Sequence, residues 1–130
     1  MPGHYHAVVW IDQSRARIVH FTIDEADRKT IRPDHSVRDV SHGERRTGHR
    51  VPMDREFLEK VAEAIADAGA ILIVGPAQEK DELAKFLAEK HPAIRAHVEA
   101  VESADHPSDG ELLAHARRFA EAADRMRPQT

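Results

Sequence analysis

The sequence predicts an α/β domain: a mixed five-stranded sheet with helices packed on it, in the order β-β-β-α-β-α-β-α. Three observations predict it. The chain opens on β-branched and alternating segments, and an uninterrupted apolar run, Ala70-Ile71-Leu72-Ile73-Val74, sits between two helical patterns. The third is Ser108-Asp109-Gly110-Glu111, a capping box that starts a final apolar stripe. The 130 residues fit one domain with an ordered core over about residues 5–126.

The elements follow in order. Ala7-Val8-Val9-Trp10-Ile11 reads as a buried strand, and Asp12-Gln13-Ser14-Arg15 supplies turn chemistry. Ala16 to Ile23 alternates, which completes a hairpin without an Asn-Gly signal. Asp24 to Arg28 reads as a second turn and Lys29 to Val40 as a weakly alternating strand, held to the sheet edge by Pro33. Ser41 to Val51, almost without apolar residues, reads as an exposed loop. Asp54 is placed to cap a helix with Met53 and Leu58 at staple spacing and an inward stripe of Phe57, Leu58, Val61, Ala62 and Ile65; Gly69 is expected to close it. The run 70–74 is a central strand covered on both faces. Gly75-Pro76 breaks it before a helix with Leu83, Phe86 and Leu87 inward, ending ahead of His91-Pro92. Arg95 to Glu102 alternates, with Ala96, Val98 and Ala100 on one face and His97, Glu99 and Val101 on the other. The last helix carries Leu112, Leu113, Ala116, Phe119, Ala120, Ala123 and Met126. This succession is the hallmark of the ribonuclease H-like architecture, which leaves function open.

Composition narrows the classes. Cysteine is absent, which removes disulfides, thiolate metal sites and cysteine nucleophiles. Hydrophobic residues make up 41% and charged residues 32%, an ordinary soluble balance. The opening apolar stretch is too short for a signal segment or a membrane span, so a bacterial or archaeal cytoplasm is expected and a membrane partner is not. The net charge of −4 argues against a generic nucleic-acid binder but conceals poles. Ten histidines accompany a single Trp and a single Tyr, and protonating them would carry the charge toward about +6.

Three stretches resemble a known family. They are Val9-Trp10-Ile11-Asp12 with its hairpin to Ala16-Arg17-Ile18, then Val74-Gly75-Pro76-Ala77-Gln78-Glu79-Lys80, then Ala104-Asp105-His106-Pro107-Ser108-Asp109-Gly110-Glu111-Leu112-Leu113. The chain is similar to small bacterial translational machinery proteins, which are related to archaeal and eukaryotic peptide-chain release factors and to the ribosome-rescue factor Pelota. The second stretch looks like the Gly-Pro-x-x-x-Lys segment of the release factors' middle domain, and the third like that domain's closing helix start. Release factors carry Gly-Gly-Gln in a loop before the first helix. The equivalent loop here reads His42-Gly43-Glu44-Arg45-Arg46-Thr47-Gly48-His49-Arg50. Peptidyl-tRNA hydrolysis is therefore not carried over. Pelota-type proteins also lack the motif and act by binding, so the resemblance implies a non-hydrolytic ribosomal role.

That loop is the first candidate site. Arg45, Arg46 and Arg50 face a single glutamate, with His42 and His49 beside them and Arg38, Arg32 and Arg55 able to enlarge the patch. Guanidinium forks suit phosphates, and glycines let a loop follow an RNA backbone. The loop has no interleaved aromatics, so it provides no stacking platform for sequence-specific readout. The plain alternative is a solvated charged loop.

Asp12 ends the first strand, where a two-metal nuclease would hold a carboxylate. Its fourth-strand partner is missing at Val74-Gly75-Pro76, and Glu56, Glu59 and Glu63 substitute only in part. Asp12 is more simply a turn residue. Gly75-Pro76 opens a helix whose first turn holds Glu79, Asp81 and Glu82, which repel phosphate. Lys80 completes that motif. Asp105, His106, Pro107 and Asp109 could bind a metal or relay a proton, but carboxylates at a helix start also stabilise its dipole, and a structural cap is the simpler reading.

No catalytic residue, metal or cofactor is expected. The leading expectation is a translation-associated protein binding ribosome or structured RNA through its basic loop. The alternative is a protein–protein module or homodimer using the acidic edge or the alanine-rich last helix. A metal-dependent hydrolase ranks third.

Overall fold

The hairpin that opens the fold forms because Asp12 turns the chain. Its Oδ1 accepts from Ser14 N at 2.8 Å and Arg15 N at 3.0 Å, and Asp12 N donates to Arg15 O at 3.0 Å. In a computed structural model describing residues 5–33 and 54–126, this turn joins β1 (His6–Ile11) to β2 (Ala16–Phe21). A second turn, Thr22 N to Glu25 O at 2.9 Å, leads into β3 (Ala26–Ile31). Then come α1 (Arg55–Ile65), β4 (Ala70–Gly75), α2 (Glu79–Lys90), α3 (Pro92–Arg95), β5 (Val98–Ser103) and α4 (Asp109–Met126). The sheet order is β3-β2-β1-β4-β5, with β1–β2 and β2–β3 antiparallel and β1–β4 and β4–β5 parallel. This is the expected α/β fold with a mixed five-stranded sheet.

Alternation divides the sheet residues between two cores. Val9, Ile11, Ala16, Ile18, Ile71 and Ile73 meet Phe57, Val61 and Ile65 of α1 and Leu83 and Leu87 of α2. On the other face Val8, Trp10, Val19, Phe21, Leu72 and Val74 meet Leu112, Ala116 and Ala120 of α4. β1 from Ala7 onward and β4, covered on both faces, are therefore apolar without a break. Asp54 caps α1, its Oδ1 accepting from Glu56 N at 2.9 Å. The capping box closes in both directions: Glu111 N donates to Ser108 Oγ at 3.1 Å and Ser108 N to Glu111 Oε1 at 2.8 Å.

Four expectations are corrected. β3 begins at Ala26 and not at Lys29, because pairing of Phe21 with Ala26 starts it directly after the turn. Its charged residues Asp27, Arg28 and Lys29 are exposed on an edge strand, which needs no apolar alternation. It ends at Ile31, and the remainder of the expected strand, like the staple partner Met53, lies outside the described residues. In β5, Ile71 pairs with Val98 but Leu72 with Ala100, so Glu99 is an extra residue in a bulge. The bulge resets the alternation. Val98 and Val101 join the α1–α2 core while Ala100 joins the α4 core. Gly69 does not cap α1, whose C-cap is Ala66. A Cβ at Gly69 would lie 2.2 Å from the Tyr5 ring, so this glycine makes room for Tyr5. The short α3, started by Pro92, is an element the sequence reading did not assign.

Candidate functional site at the carboxyl edge of the sheet

β1, β4 and β5 run parallel, so their carboxyl ends meet at one edge, where ligand crevices of open α/β sheets form. Asp12 follows β1, Gly75-Pro76 ends β4, and Asp105-His106-Pro107 follows β5. The topology thus gathers the three family-like stretches. Gly75 lies so close to β1 that a Cβ there would sit 2.4 Å from the Ile11 carbonyl oxygen, and Gly75 O accepts from Ala104 N at 2.9 Å. Pro76 is exposed beside it.

Trp10 organises the edge. It is fully buried, and its indole Nε1 donates to the Asp105 carbonyl oxygen at 2.6 Å. The His106 ring tilts against it with centroids 5.0 Å apart. Two guanidinium groups stand over the indole, Arg17 at 4.7 Å from the ring centroid and Arg15 at 5.7 Å. Arg17 also reaches the start of α4, donating from Nη2 to Pro107 O at 2.7 Å and from Nη1 to Asp109 Oδ1 at 2.8 Å. Arg28 approaches the same carboxylate, Nε to Oδ2 at 3.8 Å.

The polar groups are mostly committed to one another. Asp12 Oδ1 takes three donors from its turn, including Ser14 Oγ at 3.0 Å. Its Oδ2 is 3.8 Å from His106 Nε2, and His106 Nδ1 is 3.1 Å from Asp105 Oδ1. Among the described residues no group of three or more His, Asp or Glu side chains converges to hold a metal. Lys80 does not point outward either; its Nζ folds back to the Ala77 carbonyl and stands 3.4 Å from Asp81 Oδ2. Gly110 has nothing within 4 Å of a notional Cβ.

Asp12, Gly75, Pro76, Asp105, His106, Pro107 and Asp109 thus share one edge. Arg38, His42, Arg45, Arg46, His49 and Arg50 lie outside the described residues. Arg55 stands over the Phe86 ring at 5.2 Å, on the α1–α2 side. Two of the acidic residues near this edge are engaged: Glu102 Oε1 lies 2.9 Å from His115 Nε2, and Asp109 pairs with the two arginines. Sequence reasoning singled out neither Arg15 nor Arg28, and it used Arg17 only as part of a motif. The available signal was strand alternation, which puts Arg17 on the face of its partner Trp10.

No protein-family model matches the chain, and no curated protein matches it. Solved structures do. Pelota from Archaeoglobus fulgidus is 15% identical, with a TM-score of 0.61 over 93% of this chain and 36% of its own. The archaeal translation termination factor aRF1 is 11% identical, TM-score 0.56, over 93% of this chain and 38% of its own. Dom34 of S. cerevisiae, a translation termination-like factor involved in RNA quality control and interacting with Hbs1, is 10% identical, TM-score 0.53, over 94% and 38%. The chain therefore spans well under half the length of the proteins it resembles. At these identities the likeness establishes the fold, a five-stranded α/β unit shared with part of Pelota- and release-factor-type chains.

Proposed function

We propose that the chain is a non-enzymatic module of the translation apparatus that binds ribosomal or other structured RNA through the arginines of residues 38–50, in ribosome rescue or a stress response. The observation that carries this reading is the fold shared over 93% of the chain with Pelota and with a translation termination factor. The basic segment adds the chemistry: Arg38, Arg45, Arg46 and Arg50, with His42 and His49, offer planar forks for phosphate. The lack of Gly-Gly-Gln and the internal commitment of Asp12, Asp105 and Asp109 favour binding over hydrolysis.

Ribosome co-sedimentation at graded salt tests it. The Arg45→Ala/Arg46→Ala/Arg50→Ala variant is expected to bind more weakly, with a salt slope shallower by about three. Unchanged binding and slope would remove the loop from the reading.

A protein–protein role has its own observation. Ile23 is 89% exposed beside a groove of about 240 Å³ lined by His6, Phe21, Arg117 and Ala120. Equilibrium sedimentation showing only monomer would remove the homodimer from that second reading.

A further inference from the structure

At the β2–β3 corner, beside the start of α4, four arginines gather on rigid backbone. Arg17 in β2 and Arg28 in β3 stand on the α4 face, paired across the ladder with Thr30 and Val19. Ala16 pairs with Ile31, so Arg15 and Arg32, each one residue further out, flank the same end of the hairpin. Among the described residues, the ion pairs around these arginines leave cations in excess. Asp109 faces both Arg17 and Arg28, which is one carboxylate for two cations, and the Arg28 contact is long and half exposed. Asp12 and Asp105 are engaged with the turn and with His106. Arg15 and Arg32 make no ion pair and no side-chain hydrogen bond among the described residues, and Arg15 Nε is buried without an acceptor. Arg15 is held by the Trp10 face, so its side chain is already ordered before any ligand arrives.

We propose that Arg15, Arg17, Arg28 and Arg32 form a phosphate-binding strip for the backbone of structured RNA. It rests on the RNA partner of the reading above but not on the 38–50 segment. Residues two apart on a strand stand about 6.6–6.8 Å apart, comparable to successive phosphates of a nucleic-acid strand. All four cations are arginine: Arg15, Arg28 and Arg32 can turn a planar fork to phosphate oxygens, while Arg17, whose Nη1 and Nη2 hold Asp109 and Pro107, adds its charge. An acidic protein surface would meet the same charges but need not match that spacing.

The test is fluorescence anisotropy of a labelled RNA hairpin with the full chain at graded salt. Arg15→Gln/Arg32→Gln is expected to weaken binding about tenfold and to lower the salt slope by about two. Arg15→Lys/Arg32→Lys is expected to restore the slope but only part of the affinity, which separates fork from charge. Lys85→Gln/Lys90→Gln, an equal charge change on α2, is expected to cost less than twofold. Circular dichroism confirms that each variant is folded.

If the wild type binds RNA and the Arg15/Arg32 variant binds equally well, the strip is refuted while the loop reading stands. If that variant is weakened but the Arg45/Arg46/Arg50 variant is not, the strip stands and the loop reading falls. A wild type that binds no RNA refutes both. Binding of polyglutamate as tight as that of the hairpin would assign the strip to an acidic protein and overturn the proposal.

Discussion

Replacing Gly75 by alanine puts a methyl group where two strands meet. Its Cβ would lie 2.4 Å from the Ile11 carbonyl oxygen, and it must retreat to at least 3.0 Å to reach any contact found in proteins. Neither side can yield by rotating a side chain, because the Ile11 oxygen is backbone and a Cβ is fixed to Gly75, each directly after the last β1–β4 pair, Trp10 with Val74. Any retreat of Gly75 also pulls on its carbonyl, which accepts from Ala104 N and holds the end of β5. Overpacking of this kind costs about 1–3 kcal/mol, and a weakened hydrogen bond adds about 1 kcal/mol, so a loss of about 3 kcal/mol is expected. With a urea m-value of about 1.5 kcal/mol/M the midpoint falls by about 2 M. Gly110→Ala is the internal control. It meets open space in the first turn of α4, so trading glycine for alanine is expected to stabilise by roughly 0.5–1 kcal/mol. Urea denaturation followed by far-UV circular dichroism reads both variants. A Gly75→Ala midpoint equal to that of wild type, or a destabilised Gly110→Ala, would refute the reasoning.

Two further outcomes follow from the contacts around α4. Ser108→Ala removes one arm of the capping box and is expected to cost about 1 kcal/mol in the same denaturation assay, with no change in m-value. Trp10→Phe keeps an aromatic ring in the core but leaves the Asp105 carbonyl without its donor and shrinks the platform under Arg15 and Arg17. A loss of about 1–3 kcal/mol is expected, and a thermal unfolding curve matching wild type would show that the indole bond contributes nothing.

Much of the fold was legible because its signals are local. The run 70–74, the α1 stripe and the Ser108–Glu111 box each carry their own physics. What escaped depends on pairing. Glu99 is a bulge only because β4 and β5 register around it, so strict alternation misassigned Val98 relative to Ala100. β3 was shifted because its charged residues gain their pairing from β2 and not from burial. The close approach of Tyr5 to Gly69 joins residues far apart in sequence. The candidate site was half legible: the family-like stretches pointed to Asp12, Gly75 and Asp105–Asp109, and parallel topology brought them to one edge. The two arginines over Trp10 were not singled out: the pairing of Trp10 with Arg17 puts one of them on the indole's face, but Arg15 lies beyond the paired strand and reaches the ring only through the turn.

Two of the arginine contacts bear on the order in which the fold can be completed. Arg17 ties the first hairpin to Pro107 and Asp109 at the start of α4, and Arg117 ties the far part of that helix to Thr22 O and Glu25 O, both at 3.0 Å. Each contact joins residues 90 or more positions apart. During synthesis the hairpin leaves the ribosome before α4, and Val8, Trp10, Val19 and Phe21 lack the cover of that helix until residues 109–126 follow. Local pairing can form the hairpin early, but one face of its sheet stays wet until the last helix arrives. The nascent chain therefore presents this apolar face from the emergence of the hairpin until α4 follows and covers it.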